Sequence, residues 1–274
     1  MRSEEWLVFR AMALALVATP MAADAQVKQP TAKWVVDFDK AQCIASRVYG
    51  TDGSPLLAFK LPPLGDSIQI AVIEKGYVGR YARQLPVALS LDGTSLISTT
   101  MVQYSAPNDR KVSSINVPRT QVAELIKARS ISIDPRGSEN HQFALEQMVA
   151  LMQILDNCVV DLRRVWNVSD QSGKDPPSHL SRSAEGNLQG LLRADDYPGI
   201  AINNKQTGTV TLALLIDEKG RVADCTVTRT SGIAVLDGQS CTKIKERAEF
   251  EPALDREGKP VKSATTQSIT WRLK

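Results

Sequence analysis

Between Gly208 and Asp217 the side chains alternate with a period of two: Val210, Leu212, Leu214 and Ile216 are separated by Thr209, Thr211, Ala213 and Leu215. That period puts one set on each face of an extended chain, and the contrast between the sets marks a half-buried β-strand. Asp217-Glu218-Lys219-Gly220 follows as a turn, with glycine where a positive φ is needed. Arg221 to Arg229 then alternates again, with Ala223, Cys225 and Val227 on one face. A lone hairpin is at best marginally stable in water, so this one needs a cover. Leu236 to Ala248 supplies it as a helix, with Asp237 near its start and Lys245 and Arg247 near its end, both favourable to the helix dipole. Its inward stripe is Cys241, Ile244 and Ala248. A last strand, Ala264 to Leu273, turns Ile269, Trp271 and Leu273 inward and Ser268, Thr270 and Arg272 outward. The predicted unit is a three-stranded antiparallel sheet covered on one side by helices. If the helix carries the chain back across the first hairpin strand, the last strand lies at an edge, with unpaired N–H and C=O groups.

Upstream, residues 167–186 lose all periodicity and fill with Ser, Asp, Gly and Pro, the signature of a polar linker. Before it, short apolar runs alternate with turn residues: Trp34 to Phe38, Ser67 to Ile73, Leu85 to Leu91, Ser98 to Tyr104, Lys111 to Val117 and Ser130 to Asp134. These read as strands and hairpins. Gln121 to Ala128, after Pro118, reads as a short helix. Glu146 to Val165 reads as a long one, with Leu151, Leu155, Cys158 and Leu162 on one face. The chain has 274 residues, enough for two cores. The expected architecture is α+β in two domains, a strand-rich domain at 26–166 ending in the long helix and a C-terminal domain at 187–274.

Residues 1–25 carry Arg2 and Arg10, an apolar run from Ala11 to Ala23 and a small-residue site at Ala23-Asp24-Ala25. This is the grammar of a secretory signal peptide. An uncleaved inner-membrane anchor is the alternative, although a spanning helix of about 20 residues would have to include Arg10. Export to an oxidising periplasm allows disulfides. Four cysteines permit three pairings, and Cys43–Cys158 with Cys225–Cys241 is the one that respects a two-domain split.

With 33 basic and 30 acidic residues, the charge is too balanced for a phosphate-tracking surface, and no nucleic-acid partner is expected. The chain contains no nucleophile-elbow, P-loop, zincin or Rossmann motif. His141 and His179 read as exposed loop residues, and Asp195-Asp196 as a solvated helix start. No enzyme activity, cofactor or metal is expected.

Tyr197-Pro198, Gly208-x-Val210, Asp217-x-x-Gly220-x-Val222, Ser231-Gly232 with Leu236-Asp237, Phe250-x-Pro252-Ala253, Gly258-x-Pro260 and Trp271 together resemble the TonB C-terminal domain family over about residues 191–273. The resemblance implies binding of the TonB-box segment of outer-membrane transporters by strand addition, in TonB-dependent transmembrane transport. The positions it points to are Tyr197, Pro198, Thr265, Thr266, Gln267, Ser268, Ile269, Thr270, Trp271 and Arg272. Inner-membrane motor proteins are implied as partners only if the N-terminus stays uncleaved. The long Pro-rich spacer of well-studied members is replaced here by a folded segment, which leaves open an uncoupled periplasmic adaptor or envelope structural protein using the same domain for another partner.

Overall fold

The computed structural model describes residues 26–38, 40–52, 54–168, 179–186, 188 and 190–273. The expected signal peptide at 1–25 and the centre of the expected linker, 169–178, lie outside them.

The first half is a nine-stranded antiparallel sheet built from β1 (Val35–Phe38), β2 (Cys43–Val48), β3 (Leu56–Leu61), β4 (Ser67–Lys75), β5 (Arg83–Leu91), β6 (Thr94–Ala106), β7 (Arg110–Pro118), β8 (Ser130–Pro135) and β9 (His141–Ala144). Their order across the sheet is β1-β2-β3-β4-β7-β6-β5-β8-β9. The pleat sorts the side chains. Ile68, Ile70 and Val72 of β4 point into the core, Ile70 lies opposite Ile115 of β7, and Ile115 lies opposite Met101 of β6. A single-turn helix, α1 (Val122–Leu125), links β7 to β8, and the long helix α2 (Met148–Val165) lays Leu151, Leu155, Cys158 and Leu162 onto the same core. The sheet curls: the Tyr49 hydroxyl just after β2 donates to the Ala144 carbonyl at the end of β9 (2.7 Å), and the N-terminal lead is stitched across the gap. Lys28 bonds Gln142 and Ala144 through its backbone, while the Thr31 N–H reaches Val48.

The alternating runs expected as strands all pair, with longer limits except in β1, which starts one residue later, and β2, β3 and β9 are additional. β2 escapes a hydrophobic reading because its inward positions are Cys43, Ala45 and Arg47. Arg47 is buried against the Glu146 carboxylate at 2.9 Å. β3 is a nearly continuous apolar run without alternation, and β9 has only four residues. His141 is a correction. It opens β9 and is 3% exposed, not on a loop in solvent; His179 is exposed, as expected.

The second half contains β10 (Leu180–Arg182), α3 (Gly199–Asn203), β11 (Gly208–Ile216), β12 (Val222–Arg229), α4 (Ala234–Arg247), β13 (Ala253–Asp255), β14 (Pro260–Val261) and β15 (Ser263–Trp271). The hairpin β11–β12 and the last strand form an antiparallel sheet in the order β12-β11-β15, so β11 is central and β15 is an edge. Val210, Leu212, Leu214 and Ile216 face α4, where Leu236 and Ile244 are fully buried. A small sheet, β10-β13-β14, flanks it; the tail of the polar stretch thus supplies a strand, Leu180–Arg182, and a buried residue, Ala184.

The other face of β11 is not wholly wet, as its alternation suggested. Thr209 is exposed, but Leu215 is 3% exposed and belongs to the core of the first half, with Ala264 of β15 packed beside it. Around them the Asn167 amide donates to the Lys262 carbonyl at 2.9 Å, and Lys60 stands 4.0 Å from Asp224.

Candidate partner-binding edge

The turn after β11 is held by Asp217, whose Oδ1 accepts the N–H groups of Lys219 and Arg221, each at 2.9 Å. Gly220 sits at φ 78°, and a Cβ there would lie 1.8 Å from the Phe250 carbonyl oxygen. The contact is reciprocal, because the Phe250 N–H donates to the Gly220 carbonyl at 2.9 Å. Two remote segments therefore touch backbone to backbone, and only glycine fits. Gly208 has a similar reason: a Cβ would come within 2.7 Å of the Ser231 carbonyl. Asp237, in the first turn of α4, accepts the Ser231 N–H at 2.9 Å and the Thr230 hydroxyl. The recurring glycines and aspartates of this half thus position its hairpin and helix.

The edge strand is sided. Ser263, Ile269 and Trp271 are buried, Thr265 and Gln267 are half-buried on that same face, and Thr266, Ser268 and Thr270 are exposed on the other. The exposed hydroxyls form a ladder with the central strand, Thr270 to Thr209 at 2.9 Å and Ser268 to Thr211 at 3.2 Å. Arg272 is exposed and lies just past the strand. The indole of Trp271 donates to the Ser240 hydroxyl at 2.8 Å, which in turn donates to the Leu236 carbonyl at 2.8 Å, anchoring the end of β15 to α4. Tyr197 packs edge-on against that indole with ring centroids 5.1 Å apart, and its hydroxyl donates to the Gln206 carbonyl. Pro198 is buried at the start of α3. Tyr197 and Pro198 accordingly stand at the Trp271 end of the open edge.

Residues 193–273 match the family described as Gram-negative bacterial TonB protein C-terminal. Its members are non-enzymatic energy transducers of the envelope that interact with outer-membrane transporters. Residues 1–192 lie outside the match, and no curated protein matches the chain.

Within the TonB C-terminal segment one feature was not foreseen. Asp196 is not solvated. It is 5% exposed and takes both terminal nitrogens of Arg247, at 2.6 and 3.0 Å, while Asp195 stays in solvent. The Arg193 N–H adds a third bond at 2.8 Å. The Arg247 guanidinium holds the Asp196 carboxyl below its ordinary range, against the opposing effect of burial. Arg247, expected to serve only the helix dipole, ties the end of α4 to the turn before Tyr197. The TonB C-terminal segment also pairs Cys225 of β12 with Cys241 of α4 at a Cα separation of 5.6 Å. In the first half Cys43 meets Cys158 at 6.1 Å. Both separations suit a disulfide, and this is the connectivity expected from the sequence.

Outside the TonB C-terminal segment the notable polar group is Glu74, Glu139 and His141, whose ligand atoms lie within 4.8 Å of one another. The Glu74 carboxylate has partners inside the protein: Lys111 is 2.9 Å from it and His141 Nε2 is 3.5 Å from it. Among the described residues no helix is long and apolar enough to cross a membrane.

Proposed function

We propose that the chain is an exported periplasmic protein whose C-terminal segment captures an extended segment of an outer-membrane transporter, the TonB box, by adding it as a strand along β15. The observation that carries this reading is the open backbone of β15. Among the described residues it pairs with β11 alone, its outward side chains are short and uncharged, and no proline or lysine lies within it to block pairing. Strand addition takes affinity from main-chain hydrogen bonds and specificity from neighbouring pockets, and Tyr197, Pro198 and Trp271 offer such a neighbourhood at one end. No catalytic step is part of this function.

The test uses the full exported chain and a synthetic TonB-box peptide. Neighbouring residues of a strand point their N–H groups to opposite sides, so Gln267→Pro and Ser268→Pro remove different donors. One breaks the ladder to β11 and unfolds the sheet. The other keeps the fold and weakens peptide binding by about tenfold or more. Peptide affinity unchanged in the folded proline variant sinks the mechanism.

A second reading, an uncoupled periplasmic adaptor, is favoured by Leu215. The C-terminal sheet contributes Leu215 to the core of the first half, with Ala264 packed against that core. The peptide titration separates the two, because a folded chain that does not bind the TonB-box peptide is the adaptor. Intact-mass measurement of protein taken from the native envelope decides energy coupling: a chain starting at Met1 and fractionating with inner membranes supports the energy transducer, and one starting after Ala25 supports an uncoupled protein.

A further inference from the structure

The sheet face opposite the first core is polar around a central Val102. β4, β7, β6 and β5 present Gln69, Asn116, Ser114, Thr100 and Gln84 there. A face of that kind ordinarily meets water, but here it has a roof. α4 and the end of β12 stand over it and bound a half-open cleft of about 540 Å³. Gln84 fastens one corner, oriented so that its amide nitrogen donates to the Gly232 carbonyl (2.8 Å) and its oxygen accepts the Ala234 N–H (3.2 Å). The volume falls within the range of small-molecule sites, about 300 to 1,000 Å³.

The lining selects a chemistry. Gln69, Thr100, Tyr104 and Asn116 make no side-chain hydrogen bond among the described residues, so their donors and acceptors are free to face an occupant. Amides and hydroxyls both donate and accept, which matches a ligand rich in hydroxyl groups. Tyr81 and Tyr104, each about two-fifths exposed, offer ring surface for the C–H side of such a molecule. Two full charges line the space. Asp237 is already engaged by Ser231 and Thr230, whereas Arg80 touches only the Tyr81 ring, at 5.8 Å, and has no carboxylate partner among the described residues. A single available guanidinium suits one carboxylate. An extended peptide is disfavoured, because the backbone groups of this floor are spent in the ladder and leave nothing for strand addition.

We propose that this cleft binds a small polyhydroxylated carboxylate of the acidic-sugar class, its carboxylate on Arg80 and its hydroxyls donating to the sheet floor and to the side-chain oxygens of Gln239 and Thr242 of α4, two side chains that themselves donate to the Asp196 and Gly238 carbonyls. Both halves of the chain contribute, so the ligand bridges them. The experiment is an amide-resonance titration of the full exported chain with D-glucuronate and, separately, D-glucose. Glucuronate is expected to shift resonances on both β6 and α4 and to bind about tenfold more tightly than glucose. Arg80→Gln should erase that preference, and Asn116→Trp, which fills the cleft, should abolish binding of both sugars. Thr100→Trp serves the same purpose should Asn116→Trp fail to fold. Absence of any shift, glucuronate binding that survives a folded tryptophan variant, or a preference retained in Arg80→Gln would each overturn the proposal.

Discussion

At the scale of single residues, two carboxylates keep their charge in buried settings for different reasons. Burial pushes the Glu74 carboxyl up, but hydrogen bonds from His141 and Lys111 outweigh it and hold the group at about 2. A carboxyl whose folded pKa is depressed contributes stability that is complete above its unfolded value, here 4.5, and is lost as pH falls toward the folded one. Wild type should therefore exceed Glu74→Gln in urea midpoint at pH 6, and the gap should close between pH 4.5 and about 2. An unchanged gap at low pH would mean that the Glu74 charge is not what the two proteins differ in. Asp196 follows the same sign with Arg247 as its partner, so Asp196→Asn should lower the melting temperature at neutral pH and matter less in acid. That pair was illegible in the sequence because its members are 51 residues apart and each had a sufficient local explanation, a helix start for one and a helix end for the other.

At the scale of elements, what could be read was what repeats. β11, β12 and β15 alternate over eight or nine residues, which fixes the buried face of β15, whereas its edge position depends on where α4 carries the chain. β13 and β14 carry three and two residues, too few to show a period. They exist because Asp255 accepts the N–H groups of Glu257 and Lys259 and closes a hairpin between them. The cleft under α4 was equally invisible, since it depends on how a helix sits over a sheet formed more than a hundred residues earlier. The glycine at the β11–β12 turn was legible as a turn residue but not as a contact. With Gly220 at positive φ and against the Phe250 carbonyl, Gly220→Ala should cost about 1 to 3 kcal/mol. A second effect should be faster hydrogen exchange at the Phe250 amide, while Gly232→Ala, with nothing within 4 Å of its added Cβ, should leave that amide unaffected.

At the scale of the molecule, the two halves are coupled by an apolar contact as well as by chain connection. Leu215→Ala removes a side chain from the first core although it sits on the second sheet. Truncation of a buried leucine costs about 2 to 5 kcal/mol, and the loss should register in both halves, for example in the separate emission changes of Trp34→Phe and Trp271→Phe variants during unfolding. If only the second half weakens, the halves are energetically independent. The Cys43–Cys158 link closes a loop of 115 residues, worth about 4 to 5 kcal/mol in the chain-entropy treatment, and the Cys225–Cys241 link closes one of 16, worth about 3. Serine replacement of each pair in turn should reproduce that ranking in denaturant midpoints.

The same two links govern how far the chain could lengthen if it were drawn out between its ends. At roughly 3.5 Å of reach per residue, the longer loop withholds about 400 Å of contour and the shorter about 55 Å from any extension while the sulfurs stay joined. Stretched between beads in an optical trap, the oxidised protein should release only the chain outside the two loops, and adding reductant should lengthen the release by those two amounts. Under the proposed function, a tug delivered through a transporter segment on β15 would thus meet a tether of limited give, whose slack is set by the redox state of its surroundings.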